Sequence, residues 1–341
     1  MRFGLLVLGV MPALAWAQPP AGYYASAEGL SGQALQQALH GIIAPHTVLA
    51  NSALWQAFTT TDARPDGTVW DIYSDVPGGE PPYVYQFGVD QCGTYSAEGH
   101  CFNREHSFPQ SWYGSQAPMS TDLFHIYPVD AWVNQQRANW PYGTVPAPSW
   151  TSSNGGRLGP CGAPGCPGTV FEPIDAYKGD LARSMFYMFT RYRPQLPSWT
   201  SCPILENGEP APWAMALLLA WHELDPVSDK ERARQEAVFA LQGNRNPYID
   251  QPEWAQQSWG PGAFVADHEG VSPWCWVHEG LLYSGLPEGA ALTVDLFDTQ
   301  GRLLGTWSGI APPMAIGGAG QGIAIAVVAA GDRRAVLRVP Y

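Results

Sequence analysis

"CFNREHSFPQSW" occupies residues 101–112 and sets Glu105 directly beside His106, with Arg104 before them. A carboxylate, an imidazole and a guanidinium thus follow one another on one short stretch. Side chains of neighbouring residues on a strand point to opposite faces. At a bend from strand to loop, both Glu105 and His106 can border one cleft. The pair alone carries little weight. His222-Glu223, His268-Glu269 and His278-Glu279 repeat it, and each reads by itself as a surface or hydrogen-bonded pair. The context downstream adds the weight. Asn134, Arg137 and Asn139 lie in "VNQQRAN" (133–139), inside a stretch able to form a helix. Asn134 and Arg137 are three apart and share a face of such a helix.

Hydrolysis of a phosphodiester needs a base for water, a Lewis acid for the phosphate and leaving oxygens, and a cation for the extra charge. Mg²⁺ prefers oxygen ligands and keeps several waters, so one carboxylate and one amide carbonyl suffice as protein ligands. A strand pair supplying Glu105 and His106, packed on a helix supplying Asn134, makes a compact one-metal site.

The chain of 341 residues is long enough for one large domain and an accessory piece. Hydrophobic residues make up 45% and charged residues 14%, which argues against long disordered tracts. The 37 Gly, 32 Pro and 15 Trp point to a loop-rich protein with much aromatic surface. Formal charge is −13, and Lys178 and Lys230 are the only lysines. Taken alone, this argues against holding nucleic acid by broad phosphate neutralisation, but not against an enzyme that meets phosphate through a divalent cation and a few arginines.

Residues 1–17 read as a signal peptide: Arg2, an apolar run, then Ala15-Trp16-Ala17 before Gln18. No run is long enough to span a bilayer, and the expected product is secreted or surface-bound and monomeric. In an exported chain the even count of cysteines favours disulfides. Pairing by nearness gives Cys92–Cys101 and Cys161–Cys166, leaving Cys202 with Cys275, one of fifteen connectivities.

Ser31 is placed to cap a helix carrying Leu35, Leu39 and Ile42, and an apolar stretch follows around Leu54, Trp55 and Phe58. Alternation predicts a strand at 68–76 and a partner at 83–89. Thr121 or Asp122 can cap a short turn, and Pro128 blocks a continuous helix but leaves 129–138 free to form one. Residues 145–168 read as loop. An amphipathic helix is expected at 180–192, with further helices at 212–226 and 228–243, split by Pro226 and stopped by Gly243. One large unit at 18–263 is followed by a linker (264–280) and a small all-β module (281–341).

"NREHSFPQSW", "DLFHIYPVDAWVNQQRANWPYG", "VFEPIDAYKGDLARSMFYMFTRY" and "LQGNRNPYIDQPEW" together resemble the bacterial endonuclease I family, over about residues 22–262. These are secreted, nonspecific DNA and RNA endonucleases of the ββα-metal (His-Me finger) class. The resemblance implies an α+β fold with long loops, His106 as general base, and Glu105 and Asn134 as ligands of one Mg²⁺, with Mn²⁺ or Ca²⁺ as substitutes. It implies 5′-phosphate products. Arg137 and Asn139 match the family's "N-x-x-R-x-N" segment. Arg137 reads as catalytic, by orienting the helix or meeting phosphate, or else as an internal salt bridge. Some members carry a phosphate-binding arginine between the two motifs. Residues 107–120 hold none, which leaves Arg104, Arg137, Arg183 and Arg245 as candidates. Arg104, Asn139 and Arg245 are the substrate-binding candidates; loop packing is the plainer reading of Asn244, Arg245 and Asn246. Asp122 and His125 read as structural, as do Glu172, Asp175, Lys178 and Asp180. "VDLFDTQGRLLGTWSG" and the closing "AVLRVPY" resemble the β-sandwich sorting tail of type IX secretion, which would make export machinery a partner; a wall- or substrate-binding β-module is the rival. Two other functions compete: an exported carbohydrate- or surface-binding protein, suggested by the Trp and Tyr content, and a zinc hydrolase, weakened by the absence of H-E-x-x-H.

Overall fold

A computed structural model describes residues 18–260, except 164 and 167, and the C-terminal segments 275–278, 281–284, 291–297, 302–310, 314–315, 323–330 and 333–340. The leader reading of residues 1–17 lies outside them. The fold is α+β. Helices α1 (Gly32–Ile43) and α2 (Leu54–Thr61) precede strands β1 (Phe102–His106) and β2 (Ile126–Asp130) and helix α3 (Ala131–Arg137). Strands β3 (Trp150–Thr151), β4 (Arg157–Pro160) and β5 (Thr169–Glu172) lead into helix α4 (Lys178–Arg191). A short hairpin, β6 (Leu205–Glu206) and β7 (Glu209–Pro210), is followed by α5 (Pro212–Leu224), α6 (Asp229–Gln242), α7 (Pro247–Asp250) and α8 (Trp254–Trp259).

The helix boundaries follow local chemistry. Pro212 opens α5 where a missing N–H costs nothing. Ser228 and Glu231 close a capping box on α6, and Gly243 ends it at φ 78°. Ser31 precedes α1 as expected, but its side chain makes no capping bond. Helix α4 runs through the core with residues 178–190 all buried, so it is covered on every side rather than amphipathic. Its polar residues survive there because each is paired. Arg183 forks onto Glu231 at 2.7 and 2.5 Å, Lys178 meets Glu172 at 2.7 Å, and Asp180 meets Lys230 at 3.2 Å.

β1 and β2 form a two-stranded antiparallel sheet, with Arg104 opposite Pro128 and Glu105 opposite Tyr127. Residues 129 and 130 therefore belong to the strand, and the helix starts later than the sequence predicts. Pro128 is tolerated because β2 has one neighbour only and loses no second ladder. Asp130 then caps α3, its Oδ1 accepting from the Val133 N–H at 2.7 Å.

Residues 68–76 are not a strand. Pairing there shrinks to a bridge between Ala63 and Val69 and one bond from Val69 N–H to the Tyr85 carbonyl at 2.9 Å. Asp71 ends the extended run, its Oδ1 accepting from Tyr73 N–H at 2.8 Å as in an Asx turn. Its expected partner at 83–89 ends in a turn at Gly88, φ 76°. Conversely, the supposed loop at 145–168 holds β3 and β4, which pair on to β5. Its glycines permit close packing: a Cβ on Gly159 would lie 2.8 Å from the Ala147 carbonyl oxygen.

In the C-terminal part, β8 (Cys275–His278), β9 (Leu281–Ser284) and β12 (Met314–Ala315) form one antiparallel sheet. β10 (Ala291–Phe297), β11 (Leu303–Ile310), β13 (Ile323–Ala330) and β14 (Arg333–Pro340) form another, in the order β11-β10-β13-β14. The hairpin and the two later strands match the sequence reading; β8 falls inside the expected linker. Among the described residues, no helix is long and apolar enough to cross a membrane.

Arg234 on α6 ties the turn before β2 to α2. It bonds Asp62 at 2.8 Å and the Leu123 and Ile126 carbonyls, both at 2.8 Å, and lies 4.2 Å from the Tyr127 ring centroid. Arg234→Met leaves Asp62 buried without its cation. It is expected to cost about 3–5 kcal/mol, read by urea denaturation; a loss below about 1 kcal/mol would contradict this packing.

Candidate active site

β1 presents alternate residues to two sides. On the inner side Glu105 is only 1% exposed. Arg137 Nη1 pairs with Glu105 Oε1 at 2.7 Å, and the Tyr73 and Tyr142 hydroxyls donate to the same oxygen at 3.1 and 3.4 Å. Burial holds the Glu105 carboxyl above the usual range, and Arg137 and the two phenols offset part of that rise. Arg137 also donates to the His106 carbonyl at 3.0 Å and the Ser107 carbonyl at 2.6 Å, and lies over the Tyr142 ring at 4.6 Å. The last turn of α3 is thereby locked to the end of β1.

Asn134 joins the same two elements. Its Nδ2 donates to the Arg104 carbonyl at 3.2 Å and to Asn103 Oδ1 at 2.7 Å. The carbonyl is an acceptor only, so it fixes which way the amide faces. Among the described residues, Asn134 Oδ1 and Glu105 Oε2 take no protein hydrogen bond. Two hard oxygen donors are thus left on residues 105 and 134, the types that a Mg²⁺ site with several waters requires. Among the described residues, no three His, Cys, Asp or Glu side chains gather into a metal cluster.

His106 faces an open cleft of about 640 Å³, lined also by Asn51, Trp55, Arg104, Gln110 and Ser120. Its Nε2 lies 3.2 Å from the Ser120 carbonyl and its Nδ1 3.1 Å from Gln110 Nε2. Ser120 O can only accept, so Nε2 carries the proton and the lone pair sits on Nδ1. Burial pushes His106 down to about 3, with the neighbouring His125 adding to the shift, so the ring is neutral at pH 7. The His125 ring, 5.6 Å away, is lowered to about 4 by burial.

Asp122 and His125 build the turn entering β2. Asp122 accepts from the Phe124 N–H at 3.1 Å and from the Tyr187 and Tyr192 hydroxyls at 2.8 and 2.7 Å, and His125 Nε2 donates to the Met119 carbonyl at 2.7 Å. The other predicted residues scatter. Arg245 is 1% exposed and forks onto Glu236 and Asp250, so it lies in an internal ion cluster rather than in the cleft lining. Asn139 is exposed just past α3, 3.4 Å from Ser111 Oγ. Arg104 lines the cleft.

The model of the endonuclease I family matches residues 31–253. The chain belongs to the endonuclease I family. An extracellular ribonuclease of Bacillus amyloliquefaciens is 36% identical over 253 residues, covering 70% of this chain and 78% of the relative. One from Bacillus subtilis (strain 168) is 35% identical over the same length and shares. An endonuclease-1 of Buchnera aphidicola subsp. Baizongia pistaciae (strain Bp) is 29% identical over 132 residues, 38% of this chain and 46% of the relative.

In this nuclease, Cys92–Cys101 and Cys161–Cys166 are bridged as nearness suggests. The first bridge closes just before β1, and Cys92 lines the cleft. Cys202 is a buried free thiol, which corrects the expected bond to Cys275. Its site is apolar, and burial pushes the thiol up to about 12. The side chain of Cys275 lies outside the described residues.

Sequence reasoning missed Tyr73, Tyr142, Gln110 and Ser120. Gln110 stands in the quoted "PQSW", four residues from His106, and was the one with a local signal. It also missed how α3 ends. Ala138, exposed, takes φ 52° and ψ −122°, a conformation that suits glycine. Ala138→Gly is expected to stabilise the enzyme by about 1 kcal/mol, seen as a higher Tm; a lower Tm would contradict the strained end of α3.

Proposed function

We propose that this protein is a secreted, Mg²⁺-dependent, nonspecific endonuclease that hydrolyses RNA and DNA to 5′-phosphate products. The observation that carries the reading is the join of β1 to α3. Glu105 and Asn134 are each held by one face of their polar group, with one oxygen left over, while neutral His106, next in the chain to Glu105, borders an open cleft. Two strands and a helix in this order make the core of a ββα-metal nuclease. The extracellular setting and ribonucleic substrate are supported by the names of the two Bacillus relatives and by the leader reading.

Glu105 Oε2 and Asn134 Oδ1 would hold the metal ion. When bound, the ion supplies positive charge for the phosphate oxygens and the leaving oxygen. The chain's own residues do the rest. Arg137 keeps Glu105 ionised despite its burial. Asn103 and the Arg104 carbonyl aim the Asn134 amide. Ser120 fixes the His106 tautomer, so that Nδ1 takes a proton from water as the water attacks phosphorus in line. Gln110, which donates to Nδ1 in the free enzyme, must yield to that water. Absence of base readout is expected, since this reading assigns side chains to the phosphate and to water and none to a base edge. The sorting-tail reading of 281–341 rests on the quoted residues and on the strands that they form.

The test is plasmid and RNA digestion with Mg²⁺ and with EDTA. Cleavage should stop on chelation. His106→Ala should lower kcat by about 10²–10⁴-fold while still binding a short oligonucleotide. Glu105→Gln should lose activity and its response to added Mg²⁺. Undiminished cleavage by His106→Ala, or in EDTA, would refute the proposal.

A further inference from the structure

Residues two apart on a strand point the same way, so Arg104 and His106 share a face of β1 and line one cleft. Among the described residues lining that cleft, Arg104 alone carries a formal positive charge. Its side chain is pinned from two directions. Nη1 donates to Asn51 Oδ1 at 2.5 Å and to the Asn51 carbonyl at 3.2 Å, and the guanidinium carbon lies 5.0 Å from the Trp55 ring centroid. Trp55 is itself wedged edge-on against Phe58 and Phe102, at 6.2 and 5.7 Å between centroids. Neither partner of Arg104 bears a charge, so its own is not neutralised. Among the described residues, Nε and Nη2 donate to nothing. The other three arginines considered for phosphate are each buried against carboxylates: Arg137 on Glu105, Arg183 on Glu231, Arg245 on Glu236 and Asp250.

We infer that Arg104 is the residue that meets the non-bridging oxygens of the scissile phosphate, and that Asn51 and Trp55 position it for that task. The inference rests on the cleft being the hydrolytic site proposed above. A guanidinium offers its N–H groups as a planar fork matched to phosphate. Asn51 occupies Nη1 and Trp55 covers one face, which leaves the Nε–Nη2 edge for the substrate. Charge that accumulates on the phosphate as water attacks would be offset by this edge. Asn51 and Trp55 lie around the start of α2, some 50 residues before β1, and act through Arg104.

Single-turnover cleavage of a short RNA in Mg²⁺ tests the assignment. Arg104→Gln, which keeps a donor for Asn51, should lower the rate at saturating substrate by about 10²–10³-fold. Arg104→Lys should recover little, because an ammonium is a point charge and not a fork. Asn51→Ala should cost about tenfold in the wild-type background and nothing further in Arg104→Gln, the mark of residues acting as one unit. Arg104→Gln cleaving within about threefold of wild type, or equal Asn51→Ala losses in both backgrounds, would overturn the inference. His106→Ala run alongside separates the two levels. If it still cleaves, the site is misplaced; if it is dead while Arg104→Gln is active, only the arginine's role fails.

Discussion

A carboxylate shut away from water stays ionised only if a cation stands beside it. For Glu105 that cation is Arg137, itself buried, 2.7 Å away. The same guanidinium holds the His106 and Ser107 carbonyls, so one side chain fixes both the charge of the acid and the path of the chain that follows it. Without Arg137 the desolvated carboxyl would favour a proton, and a neutral acid is a poor donor to a hard cation. The pair therefore does more than tie β1 to α3. It keeps one oxygen occupied, while among the described residues the other takes no hydrogen bond. The phenols of Tyr73 and Tyr142 share this work by donating to the occupied oxygen.

The same use of cations runs through the core. Arg183, Arg234, Arg245 and Lys178 are all buried against acidic partners. With a formal charge of −13, so many internal cations leave little positive potential for the outer surface. Broad attraction of a polyanion is then unavailable, and long-range steering runs the wrong way. Substrate contact has to be local, at a cleft where one guanidinium remains without a carboxylate partner. On the reading proposed above, the contact is with one phosphate and not with the bases.

Periodicity and caps exposed the helices well. Pro226 separates α5 from α6 and Gly243 stops α6, as the sequence reading has it. Alternation misled at 68–76, because its hydrophobic period is right for a strand while Asp71, whose side chain bonds two residues on, forces a turn. It misled again at α4, where residues that look like a polar face are buried with partners from α6 and β5. Contiguous motifs carried the residues that tie β1 to α3: Arg137 pairs with Glu105 and holds the His106 carbonyl, and Asn134 holds the Arg104 carbonyl. Tyr73, Asn51 and Trp55 were not legible, since they reach the site from segments about 30 to 55 residues upstream with no local mark. For Arg137 the sequence left two roles open, and its ion pair with Glu105 is an internal bridge and a part of the site at once.

The hydrogen bonds of His106 carry a last consequence. A neutral imidazole can hold its proton on either nitrogen, and the base role proposed for His106 needs the form with its lone pair on Nδ1. The Ser120 carbonyl chooses that form by accepting from Nε2. Ser120 sits in the segment that includes the buried Met119 carbonyl, which accepts from His125. Two backbone carbonyls in succession thus orient two adjacent imidazoles, and neither needs a carboxylate. A carboxylate at that position would raise the ring's affinity for protons and leave it charged, unable to accept from water. A carbonyl orients the ring while leaving it neutral, and the dry surroundings keep it so. The Gln110 amide satisfies Nδ1, so neither ring nitrogen is left unpaired, and on the reading proposed above water replaces that amide at Nδ1.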